Sequence, residues 1–203
     1  MTSDCNSPPD RLDRMLSFLQ RAEALKDTMR SGHTGRGHPE SVAAHSWSLC
    51  LLVLLLEDEI AGVDLLQLLR LCLVHDLGEA ISGDVPAIHQ DPADDKSAKE
   101  RADLVTLCEG LPDDVTARLL ALWEEYDRGQ SSEAVLAKGL DKIETMVQHV
   151  TGDQVSDFDY LWNLGYGTSR TDRTPLLQEL RQKVDAMTRA SAAGQPDRTA
   201  EKG

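Results

Sequence analysis

The chain is short of positive charge: 21 Lys and Arg face 35 Asp and Glu, a net charge of −14. That deficit excludes a face basic enough to displace the counterions of duplex nucleic acid. It also argues against an anionic membrane surface as a partner. An anionic small substrate stays compatible only where a local cation, such as a bound divalent metal, offsets the overall field. Long hydrophobic runs are missing as well. The most apolar stretch, 49–56, covers about eight residues against the roughly 20 that a bilayer needs. Cys5, Cys50, Cys72 and Cys108 contain no Cys-x-x-Cys pair, which excludes a zinc knuckle or a disulfide framework. Cys50 and Cys72 sit in apolar stretches and read as small buried hydrophobes. The opening MTSDCNSPPD lacks a secretory pattern, so a cytoplasmic protein is expected. Neither strand alternation nor an internal repeat is evident.

What remains is ordinary globular material with helical periodicity. At 203 residues, 40% hydrophobic and 28% charged, the chain suits one domain with a sizeable core. Residues 1–9 are expected to be a disordered leader, 10–190 one domain and 191–203 a disordered tail low in apolar content. Apolar spacing and capping residues predict helices over 10–29, from Glu40 or Ser41 to 59, and from Asp64 through VHDLGEA. Further helices are predicted over 94–109, 112–126, 132–150 and 175–189, with SGHTGRGHP as a loop. The fold class expected is all-α, a compact helical bundle with a metal site between its central helices.

The segment VHDLGEAISGDVP carries the most chemical information. A helix that is apolar for two turns ends in adjacent His75 and Asp76, which on a helix point about 100° apart. Both can converge only on something at the helix edge. Glu79 is expected to share their face, four residues past His75, and Asp84 follows on a Gly-containing turn. His45 opens an otherwise apolar helix, and Asp141 sits among Leu140, Ile143 and Met146. Singly, each has a bland reading: a capped or core histidine, a chance His-Asp pair, an aspartate paired with Lys138 or Lys142. Together, two imidazoles and two carboxylates from three helices could close around one divalent cation. Such a nitrogen and oxygen set suits manganese, iron, cobalt or nickel better than zinc, and admits magnesium. His33, His38, His89 and His149 could extend the site. Trp47, Trp123 and Trp162 read as core or interface packing rather than base stacking.

The ordered pattern ESVAxHSW, HDxxEAxxGDxP, LWEEY and SxEAxxxKxLDKxE resembles the HD-domain phosphohydrolases, nearest the 5′-deoxynucleotidase branch. It covers roughly residues 28–150. The resemblance implies metal ligands at His45, His75, Asp76 and Asp141, a catalytic acid at Glu79 and a second acid at Asp84. It places a substrate arginine at Arg30 and a lysine at Lys96, with Glu100 one turn later. LWEEY is read as fixing helix packing. Two positions depart from the family: Ala44 stands where an acid usually precedes the first histidine, and Ser31 replaces an aromatic that disfavours a 2′-hydroxyl. The activity implied is hydrolysis of a nucleoside, in particular a deoxynucleoside, 5′-monophosphate. The alternatives are another phosphoester, an iron-dependent oxygenase, or a non-catalytic module stapled by its metal. A homodimer is also implied, for which the face of Leu176, Leu177 and Leu180 could serve.

Overall fold

The computed structural model describes residues 10–86, 95–154 and 158–194. Local capping chemistry sets most helix starts. Asp10 and Asp13 form a reciprocal capping box at the start of α1 (Arg11–Ala22). Ser41 caps α2 (Val42–Leu55), Asp64 caps α3 (Leu65–Val74) and Asp95 caps α5 (Lys96–Leu107). In each, a side-chain oxygen accepts one of the amides that the first turn leaves unpaired. Pro112 precedes rather than begins α6 (Asp113–Arg128), which stops at left-handed Gly129. Ser131, one residue ahead of the expected start, caps α7 (Ser132–Thr151).

α7 is the centre of the bundle and packs against α2, α3, α6 and the last helix, α9 (Pro175–Gly194). Leu49, Val53, Leu68, Leu71, Ala137, Leu140 and Leu177 form the main core. Burying each leucine contributes about 1.5–3 kcal/mol before conformational entropy is charged against it. Gly139 lets α7 and α9 approach: a Cβ there would lie 2.4 Å from Leu177 Cδ1. A second cluster of Val74, Leu104, Cys108, Leu111 and Trp123 joins α3, α5 and α6.

Several expectations are corrected. Leu177 is fully buried against α7 and Leu180 packs on the same core, so of the face expected to serve an interface only half-buried Leu176 lies outside the core. α9 runs through Gly194, past the boundary expected at 190. α1 ends at Ala22, and a 3-10 turn over Glu23–Lys26 follows. SGHTGRGHP lies largely in a small antiparallel hairpin of β1 (Met29–His33) and β2 (Pro39–Ser41). These strands are too short and irregular in register to alternate visibly; docking holds them instead. Gln148 Nε2 donates to the His33 carbonyl at 2.6 Å, and the Asp153 amide donates to the Thr34 carbonyl at 3.0 Å. Cys50, Cys72 and Cys108 are free thiols, while Cys5 and His89 lie outside the described residues. Among the described residues no helix is long and apolar enough to cross a membrane.

Candidate metal centre

The helix carrying His75 does not continue to Glu79 as expected. α3 ends at Val74, the His75 ring nitrogen Nδ1 bonds the Cys72 carbonyl at 2.8 Å, and the chain tightens into i→i+3 turns. A short α4 (Glu79–Ser82) then begins at Glu79. Glu79 therefore reaches the site through a turn rather than along one helical face. Turn and hairpin together surround the first turn of α2 and the middle of α7, and the sequence-predicted residues meet there.

His45 is fully buried and its Nδ1 lies 2.5 Å from Glu144 Oε2. With one nitrogen of each ring donating to Glu144 or to the Cys72 carbonyl, the other carries a lone pair. Nε2 of His45 and of His75 are both buried without a hydrogen-bond partner among the described residues. Buried polar atoms are rarely left so. Asp76 Oδ2 lies 3.0 Å from His75 Nε2 and 3.9 Å from His45 Nε2. Asp141 Oδ1 lies 3.4 Å from His45 Nε2. One ligand atom each from His45, His75 and Asp76 falls within 4.8 Å of the others. These residues could hold a metal, with Asp141 closing the set.

The surroundings fix these groups. Tyr126 donates to Asp141 Oδ2 at 3.0 Å and Lys142 Nζ lies 2.8 Å from the same atom, which leaves Oδ1 towards His45. LWEEY thus supplies a hydroxyl to the site as well as helix packing. Arg30 lies 3.2 Å from Asp76 Oδ2 and donates to Thr145 Oγ1 at 3.1 Å. Burial opposes its charge, but Asp76, Asp141, Asp84 and Glu79 hold it firmly protonated. Burial pushes Asp76 and Asp141 up, yet His75 and Arg30 around the first, and Lys142 and His45 around the second, keep both below the usual carboxylate range. Burial, then Asp76 and Asp84, push Glu79 up to about 9. Burial also raises Asp84.

Arg30, Ser31, Asp76, Glu79, Asp84, Lys96 and Asp141 line one cavity of about 570 Å³. Lys96 pairs with Glu100 at 3.2 Å. His45 and His75 are buried beside Asp76. Sequence reasoning missed Glu144, although it is the final Glu of LDKxE and lies three residues past Asp141, on the same helical face. Of the three tryptophans read as core or interface packing, Trp123 is core, Trp47 is exposed and Trp162 stacks on Tyr166 and lines the cavity. Of the other histidines, His149 lines the cavity and His38 is exposed.

An HD-domain family model matches residues 22–181. The chain belongs to the HD-domain family. Within it, this HD protein is similar to the 5′-deoxynucleotidase HDDC2 of Bos taurus, 35% identical over 136 residues, covering 66% of this chain and 65% of that one. The Homo sapiens HDDC2 is 33% identical, covering 66% of each chain. The Saccharomyces cerevisiae 5′-deoxynucleotidase YBR242W is 29% identical, with 66% of this chain and 58% of that one covered. The HD chain thus spans about two-thirds or slightly less of these relatives' lengths. A solved structure titled a predicted metal-dependent phosphohydrolase, from Magnetospirillum magnetotacticum MS-1, shares the fold at a TM-score of 0.76 and 24% identity, over 90% of this chain and 93% of that one. The PH0347 protein of Pyrococcus horikoshii OT3 superposes with a TM-score of 0.66 at 25% identity, over 86% and 99%.

Proposed function

We propose that this HD protein is a metal-dependent phosphohydrolase that cleaves a deoxynucleoside 5′-monophosphate into nucleoside and phosphate. The observation that carries the reading is the pair of buried Nε2 atoms, without a hydrogen-bond partner among the described residues, next to Asp76, which lines a cavity together with Arg30 and Glu79. The relatives named 5′-deoxynucleotidases support the choice of substrate. In this reading His45, His75, Asp76 and Asp141 hold one divalent cation: manganese, cobalt, iron or nickel ahead of zinc, with magnesium admitted. When bound, such a cation neutralises phosphate charge and lowers the pKa of a coordinated water.

The residues do the rest. Arg30 exchanges its bond to Thr145 for phosphate oxygens, which suits a guanidinium's paired donors. Glu79 takes the proton of the attacking water; a nearby divalent charge brings this carboxyl down from its raised value into the range of a working base. Water adds to phosphorus, the P–O5′ bond breaks, and Asp84 returns a proton to the departing 5′ oxygen. Lys96 adds positive charge at the rim. Because phosphoryl transfer asks mainly for positioning and charge, these groups are sufficient. Ser31 beside Arg30 leaves room at the sugar, so ribonucleotides are also expected to be cleaved, more slowly. For a homodimer, the exposed stripe of Trp47, Leu51, Leu54 and Leu55 on α2 is a better surface than the buried Leu177 face.

The test is phosphate release from matched deoxyribo- and ribonucleoside 5′-monophosphates by metal-stripped protein given back manganese, cobalt, iron or magnesium separately. Metal-dependent release is expected, abolished by Asp76→Ala. Glu79→Ala should keep the metal and lose about 10²–10⁴-fold in turnover. A fully active Glu79→Ala would overturn the assignment of the base. No release with any bound metal would overturn the reaction.

A further inference from the structure

α7 places Asp141, Thr145 and His149 at intervals of four residues, and all three line the same cavity. At 1.5 Å per residue they mark out about 12 Å along one helical face. Asp141 is at the metal end. Thr145 holds Arg30, the phosphate grip, one turn further on. His149 lies another turn beyond, and no step of the proposed hydrolysis uses it.

His149 is 4% exposed, and its Nδ1 lies 2.8 Å from Oδ1 of the fully buried Asn163. A carbonyl oxygen only accepts, so Nδ1 carries the proton and Nε2 is an acceptor. That Nε2 has no partner among the described residues. Burial lowers the ring's pKa, which keeps it neutral. Most buried polar atoms have a partner, so an acceptor left open at the cavity wall points to a ligand. Phe158 lies edge-on to it at 4.9 Å, and Trp162 and Tyr166 form a stacked pair with centroids 4.7 Å apart. All of these rings line the cavity.

The aromatic wall is fixed from behind. Arg181, 6% exposed, donates to the carbonyls of Asn163, Leu164 and Tyr166 and to Thr171 Oγ1, and pairs with Asp185 at 2.7 Å. One guanidinium therefore ties the segment carrying Trp162 and Asn163 to α9.

We propose that this end of the cavity is the base subsite, where a flat heteroaromatic ring lies against Phe158 and Trp162 and donates one N–H to Nε2 of His149. The proposal rests on the nucleotidase reading, which puts phosphate at Arg30. Because the sugar of a nucleotide lies between phosphate and base, the group furthest along α7 from Asp141 meets the base and not a sugar hydroxyl. Aromatic walls accept every base, so the wall supplies affinity and His149 supplies orientation.

Binding, rather than turnover, tests this. The metal-loaded protein is titrated calorimetrically with 5′-methylenephosphonates of the four deoxynucleosides, which have no P–O5′ bond to break, and with the base-less deoxyribose 5-phosphonate. The wild type should bind the nucleoside compounds at least about tenfold tighter than the base-less one. His149→Leu should lose about fivefold to tenfold for the tightest base and nothing for the base-less compound. Trp162→Leu should weaken all four bases together. Equal wild-type affinity with and without a base overturns the subsite, even if nucleotides are hydrolysed, and this comparison needs no variant. Unchanged affinity for every base in folded His149→Leu overturns the role of Nε2. Base binding that depends on His149, with no hydrolysis under any metal, upholds the subsite and removes only the reaction.

Discussion

Replacing Glu144 by Ala tests whether the partnerless nitrogen of His45 is held ready for a metal or is incidental. His45 is fully buried, with Nδ1 2.5 Å from Glu144 Oε2. That bond fixes the ring's orientation and keeps a proton on Nδ1, so once the ring is neutral its lone pair is on Nε2, facing Asp76 and Asp141. Burial and Arg30 oppose a charge on the ring, yet Asp141 and Glu144 push it up to about 9, so a metal that binds at Nε2 displaces a proton from it. In Glu144→Ala the Nδ1 proton has no acceptor and is free to move to Nε2. Outer partners of this kind are worth about 10–100-fold in metal affinity, or about 1.4–2.7 kcal/mol. The unpaired buried donor adds a fold-stability cost of about 1–3 kcal/mol. Glu144→Gln keeps an acceptor in place without the charge and should fall between wild type and Ala. Metal affinity is read by competition with a chelator, and apoprotein stability by urea unfolding. Wild-type metal affinity in Glu144→Ala, with only stability reduced, would refute the claim that Glu144 prepares His45 as a ligand.

Gly139→Ala puts a methyl 2.4 Å from Leu177 Cδ1 and 2.7 Å from Cδ2, and Leu177 is fully buried with nowhere to swing. Overpacking of about 1–3 kcal/mol should outweigh the gain of about 1 kcal/mol in helix propensity, so the urea midpoint should fall with an unchanged slope; a rise would show that the helices can part. The buried His149 gives a pH test. Burial and Arg30 lower its pKa, against the Asn163 hydrogen bond and Glu144. A base depressed in the folded state binds its proton more readily when unfolded. Its contribution is therefore complete above the unfolded value near 6.5 and is lost as pH falls through the folded one. The stability difference between wild type and His149→Gln should accordingly shift against wild type from pH 7.5 towards pH 5. A shift in its favour on acidification would mean that the histidine is charged in the fold.

The parts of the molecule legible in the sequence are those set by local chemistry. Asp10, Ser41, Asp64 and Asp95 cap helices because a short side-chain oxygen can reach its own first turn, and apolar spacing marks the faces of α2, α3 and α7 that are buried. The His, His-Asp and Asp positions could be picked out because polar residues in apolar stretches need a reason to be there. What could not be read depends on contacts distant in the chain. The hairpin over Met29–Ser41 has too few residues to show a period and is held by Gln148 near the end of α7 and Asp153 just past it. The end of α3 follows from the His75 ring taking the Cys72 carbonyl, a choice that apolar periodicity does not register. Leu177 looked like part of an exposed stripe because the small residue it packs on, Gly139, lies 38 positions earlier. Arg181, Asn163 and His149 form a chain of the same kind: each is unremarkable in its own segment, and together they fix a lone pair and an aromatic wall against the cavity. The four proposed ligands stand out as local anomalies, whereas the residues proposed to select among bases are held by partners 14 and 18 residues away. A metal-binding chemistry can therefore be legible in an HD sequence while its choice of base requires the fold.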